Sequence, residues 1–554
     1  MRHPVRVLIA LCWCALAGVA STQVTVYQNQ PGMRLQASSA VRSGAAWSVT
    51  LQMGNDNGNA SLPSSYRRHW ACGIRGLAPT GERLDVSVTN SGYTDIILPV
   101  WSLSTDGVTF GPWTRVPTSA VPTRSGATHR FTLQTPPGVV ELRLAKYFPY
   151  LVADKDALLS IATASPAASV QTLGASRQGR PIELLTLTDP GVPLAQKQRI
   201  WIHSGIHPAE TTSYFVVEGL VEELLSGSAL ARMMLARTVI DIVPMANPDG
   251  VMLGNYRTNA ASVNLENEWA APYNSTQPEI TALRTAIEQR MTLASPATIE
   301  VLLNLHSSHG LAWPFHFEHT ANPSFNLTSN RSGVVPEVNA LERAWIQAFR
   351  SASPFVARGT TQSSTAGSPT RPFVESMVHD RYAIDPAWRQ VHTPAMAITF
   401  EGTYGPGPTS AWNTPSDWRQ VGREMVAALA DHLGVVPGGA VRSDLRYCGY
   451  TLLEAGFAPQ ASRVDFDLTA TPGDPLAALV LGLSTTAIPL PASVCALRTD
   501  PLIAVGVALG PGGTARVSVV PPPGFVELRA QSVVQPATGA AIRSSNTLDV
   551  LTLR

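Results

Sequence analysis

A chain of 554 residues is longer than one ordinary domain, and at roughly 150 residues per domain it holds three or four. A net charge of +1 with only 14% charged residues excludes an extended nucleic-acid footprint and a polybasic membrane patch. The 44 prolines and 42 glycines favour β-rich modules with many turns over long solvated helices.

Residues 1–20 read as an export signal, with basic residues up to Arg6, an apolar run from Val7 to Leu16, then the small residues Gly18 and Ala20. That run is too short for a membrane span, and no later segment holds about eighteen uninterrupted apolar residues. The mature protein is therefore expected to be soluble and exported, whether periplasmic, cell-surface or extracellular, with Cys12 and Cys14 leaving with the signal. In an oxidising compartment Cys448 and Cys495 are expected to pair, a loop closure that contributes roughly 4 kcal/mol on the chain-entropy model. Cys72 is then the odd thiol, expected to be a buried small hydrophobe.

Residues 24–150 alternate in strand fashion, as in Arg83–Thr89, Ile96–Leu103, Arg130–Gln134 and Val139–Leu144, with no capped helix between them. An antiparallel β-sandwich is the expected result. From 151 to 436 strands alternate with helices. Strands are expected at Ile182–Thr188, Arg199–His203, Val239–Val243, Ile299–Leu305 and Ala395–Phe400, and helices at Thr212–Leu225, Pro278–Met291, Val338–Arg350 and Asp417–Leu433. Ser416 is the expected cap of the last helix and Gly434 its stop. The order implies an α/β/α domain on a largely parallel sheet, with its ligand site at the carboxyl ends of the strands. Val435-Val-Pro-Gly-Gly reads as a linker, and the short strands of 437–554 predict a second β-sandwich.

His207-Pro-Ala-Glu210 follows one of the apolar strands directly. A His nitrogen and a Glu oxygen at this spacing can share one zinc ion, and a catalytic site needs one further protein ligand and an open position for water. His306 is the best candidate for the third ligand because it ends the apolar strand Ile299–Leu305, and His309 is its rival. His203, His316 and His319 have no partner at metal spacing and read as structural or surface residues.

The motif also keeps company. Gly174-Ala-Ser-Arg-Gln-Gly-Arg-Pro-Ile precedes it, and Asn247-Pro-Asp-Gly, Gly254-Asn-Tyr-Arg, Val263-Asn-Leu-Glu-Asn-Glu-Trp, Asn304-Leu-His and Thr399-Phe-Glu-Gly follow. Over roughly 150–435 this ordered series resembles the M14 zinc carboxypeptidases, and the Gly-Asn-Tyr-Arg form is most similar to their cytosolic-carboxypeptidase branch and its bacterial relatives. The resemblance implies a zinc-dependent metallopeptidase acting on peptide substrates, with one zinc on His207, Glu210 and His306, Arg257 as the transition-state arginine and Glu401 as the general base. Tyr382 stands about where the family presents a substrate-side tyrosine. Residues 24–150 resemble the β-rich domain that precedes the catalytic domain in that branch, on Phe110-Gly-Pro-Trp-Thr-Arg-Val-Pro and Tyr147-Phe-Pro-Tyr. The tail resembles C-terminal modules of exported bacterial proteins, on Leu479-Val-Leu-Gly-Leu-Ser and Ala530-Gln, with sorting, surface or envelope attachment and spacing all open to it.

One element departs from the pattern. Where the family has Asn-Arg, with the Arg gripping the substrate's terminal carboxylate, this chain has Glu266-Asn267. Three readings follow: another arginine such as Arg371 or Arg381 supplies the charge, the substrate lacks a free α-carboxylate, as for an amidase or deacylase, or the fold is kept by a non-catalytic surface binding protein.

Overall fold

The computed structural model describes residues 23–552 except 271, 295, 310–312, 319–333, 364–372, 385–391, 393, 437–438, 444–450, 459–462, 484, 491–494, 521–525 and 538–541. The proposed export signal, Cys448 and Arg371 lie outside the described residues. Cys495 is disulfide-bonded, and Cys72 is a buried free thiol.

The N-terminal region forms two five-stranded sheets, one ordered Thr25–Tyr27, Ala71–Arg75, Glu141–Ala145, Val100–Ser104, Thr114–Arg115 and the other Ala37–Ser43, Ala46–Gln52, Arg83–Thr89, Thr128–Gln134, Thr123–Ser125. Alternate residues face inward, so Val49, Leu51, Leu84, Val86 and Val88 of one sheet meet Cys72, Ile74, Leu142 and Leu144 of the other in a single core. The expectation of a purely antiparallel sandwich is corrected at one place: Ala46–Gln52 and Arg83–Thr89 run parallel, with Val49 opposite Val86. A parallel pair needs a long crossover. Here the chain between the two strands leaves the sheet, adds Ala71–Arg75 to the other one and returns.

The central domain carries an eight-stranded sheet among the described residues. Its order is Ala168–Ala175, Pro181–Leu187, Thr238–Val243, Gln198–Ser204, Ile299–Ser308, Met396–Thr403, Phe315–Glu318, Thr361–Ser363. The four strands from Thr238–Val243 to Met396–Thr403 are mutually parallel, and the flanking ones are mostly antiparallel. Because helices cover both faces, these strands are apolar without alternation. Ile200, Ile202, Val301, Leu303 and Ile398 pack against helices Thr212–Leu224, Pro336–Ala352 and Pro415–His432, while Trp201, Leu302 and Ala397 pack against Pro278–Met291 and Val374–Ile384. Thr414, not Ser416, caps the last long helix: its backbone N–H donates to Asp417 Oδ2 at 2.8 Å, and Pro415 takes the first helical position.

The C-terminal strands form a six-stranded and a three-stranded sheet with a common core of Leu453, Val464, Phe466, Leu479, Leu481, Leu548 and Val550, together with a small two-stranded sheet. The expected linker is corrected. Val435–Val436 pairs antiparallel with Gly439–Ala440 and joins the six-stranded sheet, so two β-favouring valines continue the chain into the module.

Candidate active site

The strand Gln198–Ser204 ends at Gly205, whose φ of +73° turns the chain where an added Cβ would strike the Tyr214 ring. His207 and Glu210 follow in that turn. Their neighbour Pro208 packs against Gly250 of Asn247-Pro-Asp-Gly, where a Cβ would come within 2.3 Å of the proline ring. Tyr404 braces the same turn, accepting from Thr211 N–H at 2.8 Å and donating to the Ala209 carbonyl at 2.9 Å. His306 and Glu401 are opposite one another on adjacent parallel strands, two residues beyond the matching pair Asn304 and Thr399.

These elements bring three donors together. His207 Nδ1 lies 2.8 Å from Glu210 Oε1, His306 Nδ1 lies 2.8 Å from Glu210 Oε2, and the two Nδ1 atoms are 3.1 Å apart. All three side chains are buried, and this is the group among the described residues that could hold a metal ion. The donor set suits zinc, and a tetrahedral ion with bonds of about 2.05 Å would need its ligand atoms about 3.4 Å apart, a few tenths of an ångström wider than here. The second nitrogen of each imidazole also faces an oxygen. His207 Nε2 is 3.0 Å from Asn264 Oδ1, and His306 Nε2 is 3.3 Å from Glu266 Oε2, within ion-pair distance though not aligned for a hydrogen bond. Partners of this kind fix ring orientation and tautomer, leaving Nδ1 toward the centre.

Burial alone would raise the Glu210 carboxyl, but the His207 and His306 imidazoles overcome it and hold Glu210 well below the usual carboxylate range. For His306 burial is outweighed by the Glu266 and Glu210 carboxylates, which raise it well above an ordinary histidine. Glu401 is pushed up to about 8 by burial, reinforced by the charge of Glu210.

A cavity of about 230 Å³ opens over this group, lined by His207, Glu210, Arg257, Glu266, His306, Phe317, Phe373, Glu375, Thr399 and Glu401. Five residues expected from the sequence to hold metal or perform chemistry, His207, Glu210, His306, Arg257 and Glu401, thus face one space, and Glu266 joins them. Two others do not. Asn267 is exposed and outside the lining, because the turn that buries Glu266 points its neighbour outward. Tyr382 is buried in an apolar cluster with Val334, Val335, Val338 and Ala383, a packing position on the inner face of its helix. His309 also stands apart from the donor group, with its ring 4.6 Å from Tyr404 and 5.3 Å from Tyr256. Arg381 pairs with Glu288 at the surface.

Sequence reasoning overlooked Asn264, Tyr404 and Glu375. Asn264 had a signal, since it sits inside the quoted Asn-Leu-Glu-Asn stretch. Tyr404 and Glu375 had none, because their roles arise from contacts across the fold: Glu375 accepts from Thr399 Oγ1 and, at 3.3 Å, from Asn304 Nδ2.

Residues 156–405 match the family model for zinc carboxypeptidases, Peptidase_M14. Cytosolic carboxypeptidase 6 of Mus musculus is 34% identical over 139 residues, 25% of this chain and 26% of that protein. Cytosolic carboxypeptidase 2 of Xenopus tropicalis is 31% identical over 155 residues, 27% of this chain and 16% of that protein. The chain thus spans about a quarter or less of the length of these relatives. In fold it is similar to a metallo-carboxypeptidase from Burkholderia cenocepacia, with a TM-score of 0.57 and 24% identity over 74% of this chain and 99% of that one. A metallo-carboxypeptidase from Pseudomonas aeruginosa gives a TM-score of 0.55 and 19% identity over 73% and 98%. The ordered motifs and the sheet that gathers them thus fall within the stretch, residues 156–405, that matches the zinc carboxypeptidase model, and the chain shares the fold of solved metallo-carboxypeptidases.

Proposed function

We propose that this protein is a zinc-dependent metallopeptidase that hydrolyses an amide bond of a peptide substrate. The carrying observation is that His207, Glu210 and His306 converge beside Glu401 and Arg257 in one cavity. His207 Nδ1, a Glu210 oxygen and His306 Nδ1 would hold the zinc. The ion supplies Lewis acidity, which polarises a carbonyl and makes water an effective nucleophile near neutral pH.

Glu401 Oε2 is buried and has no hydrogen-bond partner among the described residues, so an acceptor is aimed into the cavity. It takes the proton of the attacking water and delivers it to the leaving nitrogen as the C–N bond breaks, giving a carboxylate and an amine. Arg257 holds the oxyanion of the tetrahedral intermediate with a fixed positive charge. Phe317 and Phe373 offer apolar walls to the substrate. The test is metal content and activity together: close to one zinc per chain, with His306→Ala losing far more zinc than His309→Ala. Equal losses would overturn the ligand choice, and protein that takes up no zinc would overturn the enzyme reading.

A second reading of the substrate rests on Glu266. Among the described lining residues Arg257 is the one cationic side chain apart from the histidines, while Glu210, Glu266, Glu375 and Glu401 are acidic. A substrate without a free α-carboxylate next to the scissile bond fits that balance better than one with it. Losing a charged hydrogen bond to a carboxylate costs about 1.5–3 kcal/mol, roughly ten- to a hundred-fold in binding. Acyl-amino acids are therefore expected to be poorer substrates than the matching amides, and the opposite ranking would restore the carboxypeptidase reading. We also propose export, supported by the leader-like first twenty residues and by the disulfide at Cys495. N-terminal sequencing of the protein from extracellular or periplasmic fractions tests this, and an intact Met1 in the cytoplasm would refute it.

A further inference from the structure

The turn that presents Arg257 is held from outside the zinc carboxypeptidase domain. Asp56, in the crossover that leaves the N-terminal sheet after Gln52, is 2% exposed and reaches the three consecutive backbone amides of Tyr256, Arg257 and Thr258. Asp56 Oδ1 accepts from Tyr256 N–H at 2.7 Å, and Oδ2 accepts from Arg257 N–H and Thr258 N–H at 2.8 Å each. Three successive amides aimed at one carboxylate form a concave anion site, and here a side chain fills it. Gly254 brings the same turn so close to the N-terminal region that a Cβ would lie 2.9 Å from the Gly32 carbonyl oxygen. The neighbouring Asn57 adds a separate clasp, with its N–H donating to Asn255 Oδ1 at 3.1 Å and its Nδ2 to the Asn259 carbonyl at 2.8 Å.

We infer that Asp56 is a positioning residue for Arg257, by which the N-terminal β-domain completes the active site of its neighbour. The inference rests on the oxyanion role given to Arg257 above. Two considerations favour positioning over simple attachment of the domains. Burial raises the Asp56 carboxyl against the pull of the three amides and of Arg34, so the charge is kept in place at a cost to stability. Moreover, all three amides belong to the residues that aim the guanidinium, and a displacement of about 1 Å in such a group can cost two orders of magnitude in rate.

The experiment is a double-mutant cycle on the full-length, zinc-loaded protein, with zinc content, thermal midpoint and amide exchange recorded for every variant. Asp56→Asn replaces an acceptor by an NH₂ facing N–H donors. It is expected to lower kcat about ten- to a hundred-fold with KM and zinc content little changed, and to speed exchange at Tyr256, Arg257 and Thr258. Added to Arg257→Ala it should cause no further loss, whereas Asn57→Ala should lower the thermal midpoint and leave kcat intact. Asp56→Glu keeps the charge one methylene further out and should lose less than Asp56→Asn, so the test survives if the asparagine variant does not fold. Multiplicative losses in the cycle, unchanged amide exchange, or an equal fall in kcat in Asn57→Ala would overturn the inference while the role of Arg257 stands. An Arg257→Ala enzyme with full kcat would overturn that role itself, and the inference with it.

Discussion

Glu401 shows how one carboxyl's setting decides its use. Its burial beside Glu210 pushes it up to about 8, so the proton is readily held, and a bound dication nearby would draw it down toward neutrality, where a base of that strength is effective. Glu401→Gln is expected to keep zinc and fold while slowing hydrolysis by two to four orders of magnitude, the usual worth of general acid–base catalysis. Unchanged turnover would place the base elsewhere. Other titratable groups bear on stability instead. Burial lowers His316 to about 3 and His432 to about 4, whereas both titrate near 6.5 once unfolded. Their folded pKa values are depressed, so the unfolded chain binds more protons between about pH 6.5 and 4; stability is present above that window and is lost as pH falls through it. Each contributes on the order of 1.4 kcal/mol per pH unit there. The thermal midpoint should drop on acidification from pH 7 to 4.5, and His432→Leu should flatten that slope.

Elements differ in how plainly the sequence announces them. The helix Pro278–Met291 is readable to the residue, because a proline fixes its start and Ile280, Leu283 and Ile287 mark its buried face. The five strands expected in the central sheet appear within a few residues of their expected bounds, and the five residues reach one cavity because His306 and Glu401 sit near the carboxyl ends of two parallel strands while His207, Glu210 and Arg257 lie in the connections that follow two others. What stayed hidden was non-local. Nothing near Ala46–Gln52 says that its partner Arg83–Thr89 runs parallel, and Val435-Val-Pro-Gly-Gly has a linker's composition although its valines pair in a sheet. Helix contacts are hidden likewise. Gly219 and Gly422 let Thr212–Leu224 and Pro415–His432 approach until an added Cβ at Gly219 would lie 1.9 Å from the Arg419 carbonyl oxygen. Gly219→Ala should therefore destabilise the protein by roughly 1–3 kcal/mol, measurable by denaturant unfolding, even though alanine is the better helix former.

At the scale of the whole molecule the two β-regions are unequal. The C-terminal module contributes no described residue to the cavity lining, so a chain ending at Val436 is expected to keep zinc binding and hydrolysis, and loss of both on truncation would contradict this. The N-terminal domain is tied to the catalytic one by Asp56, Asn57 and the stack of Tyr147 on Tyr404, with ring centroids 4.4 Å apart. These ties also order events during synthesis. Asp56 waits 200 residues for Tyr256, His207 waits 99 for His306, and Thr211 waits 193 for the hydroxyl of Tyr404. Contacts so distant along the chain close late. A growing polypeptide that ends between His306 and Met396 has all three proposed metal ligands but lacks both Glu401, the proposed base, and the Tyr404 brace on the turn that carries His207 and Glu210. On the proposed mechanism, hydrolytic competence is deferred until nearly three-quarters of the chain has left the ribosome, a latency written into the order of translation.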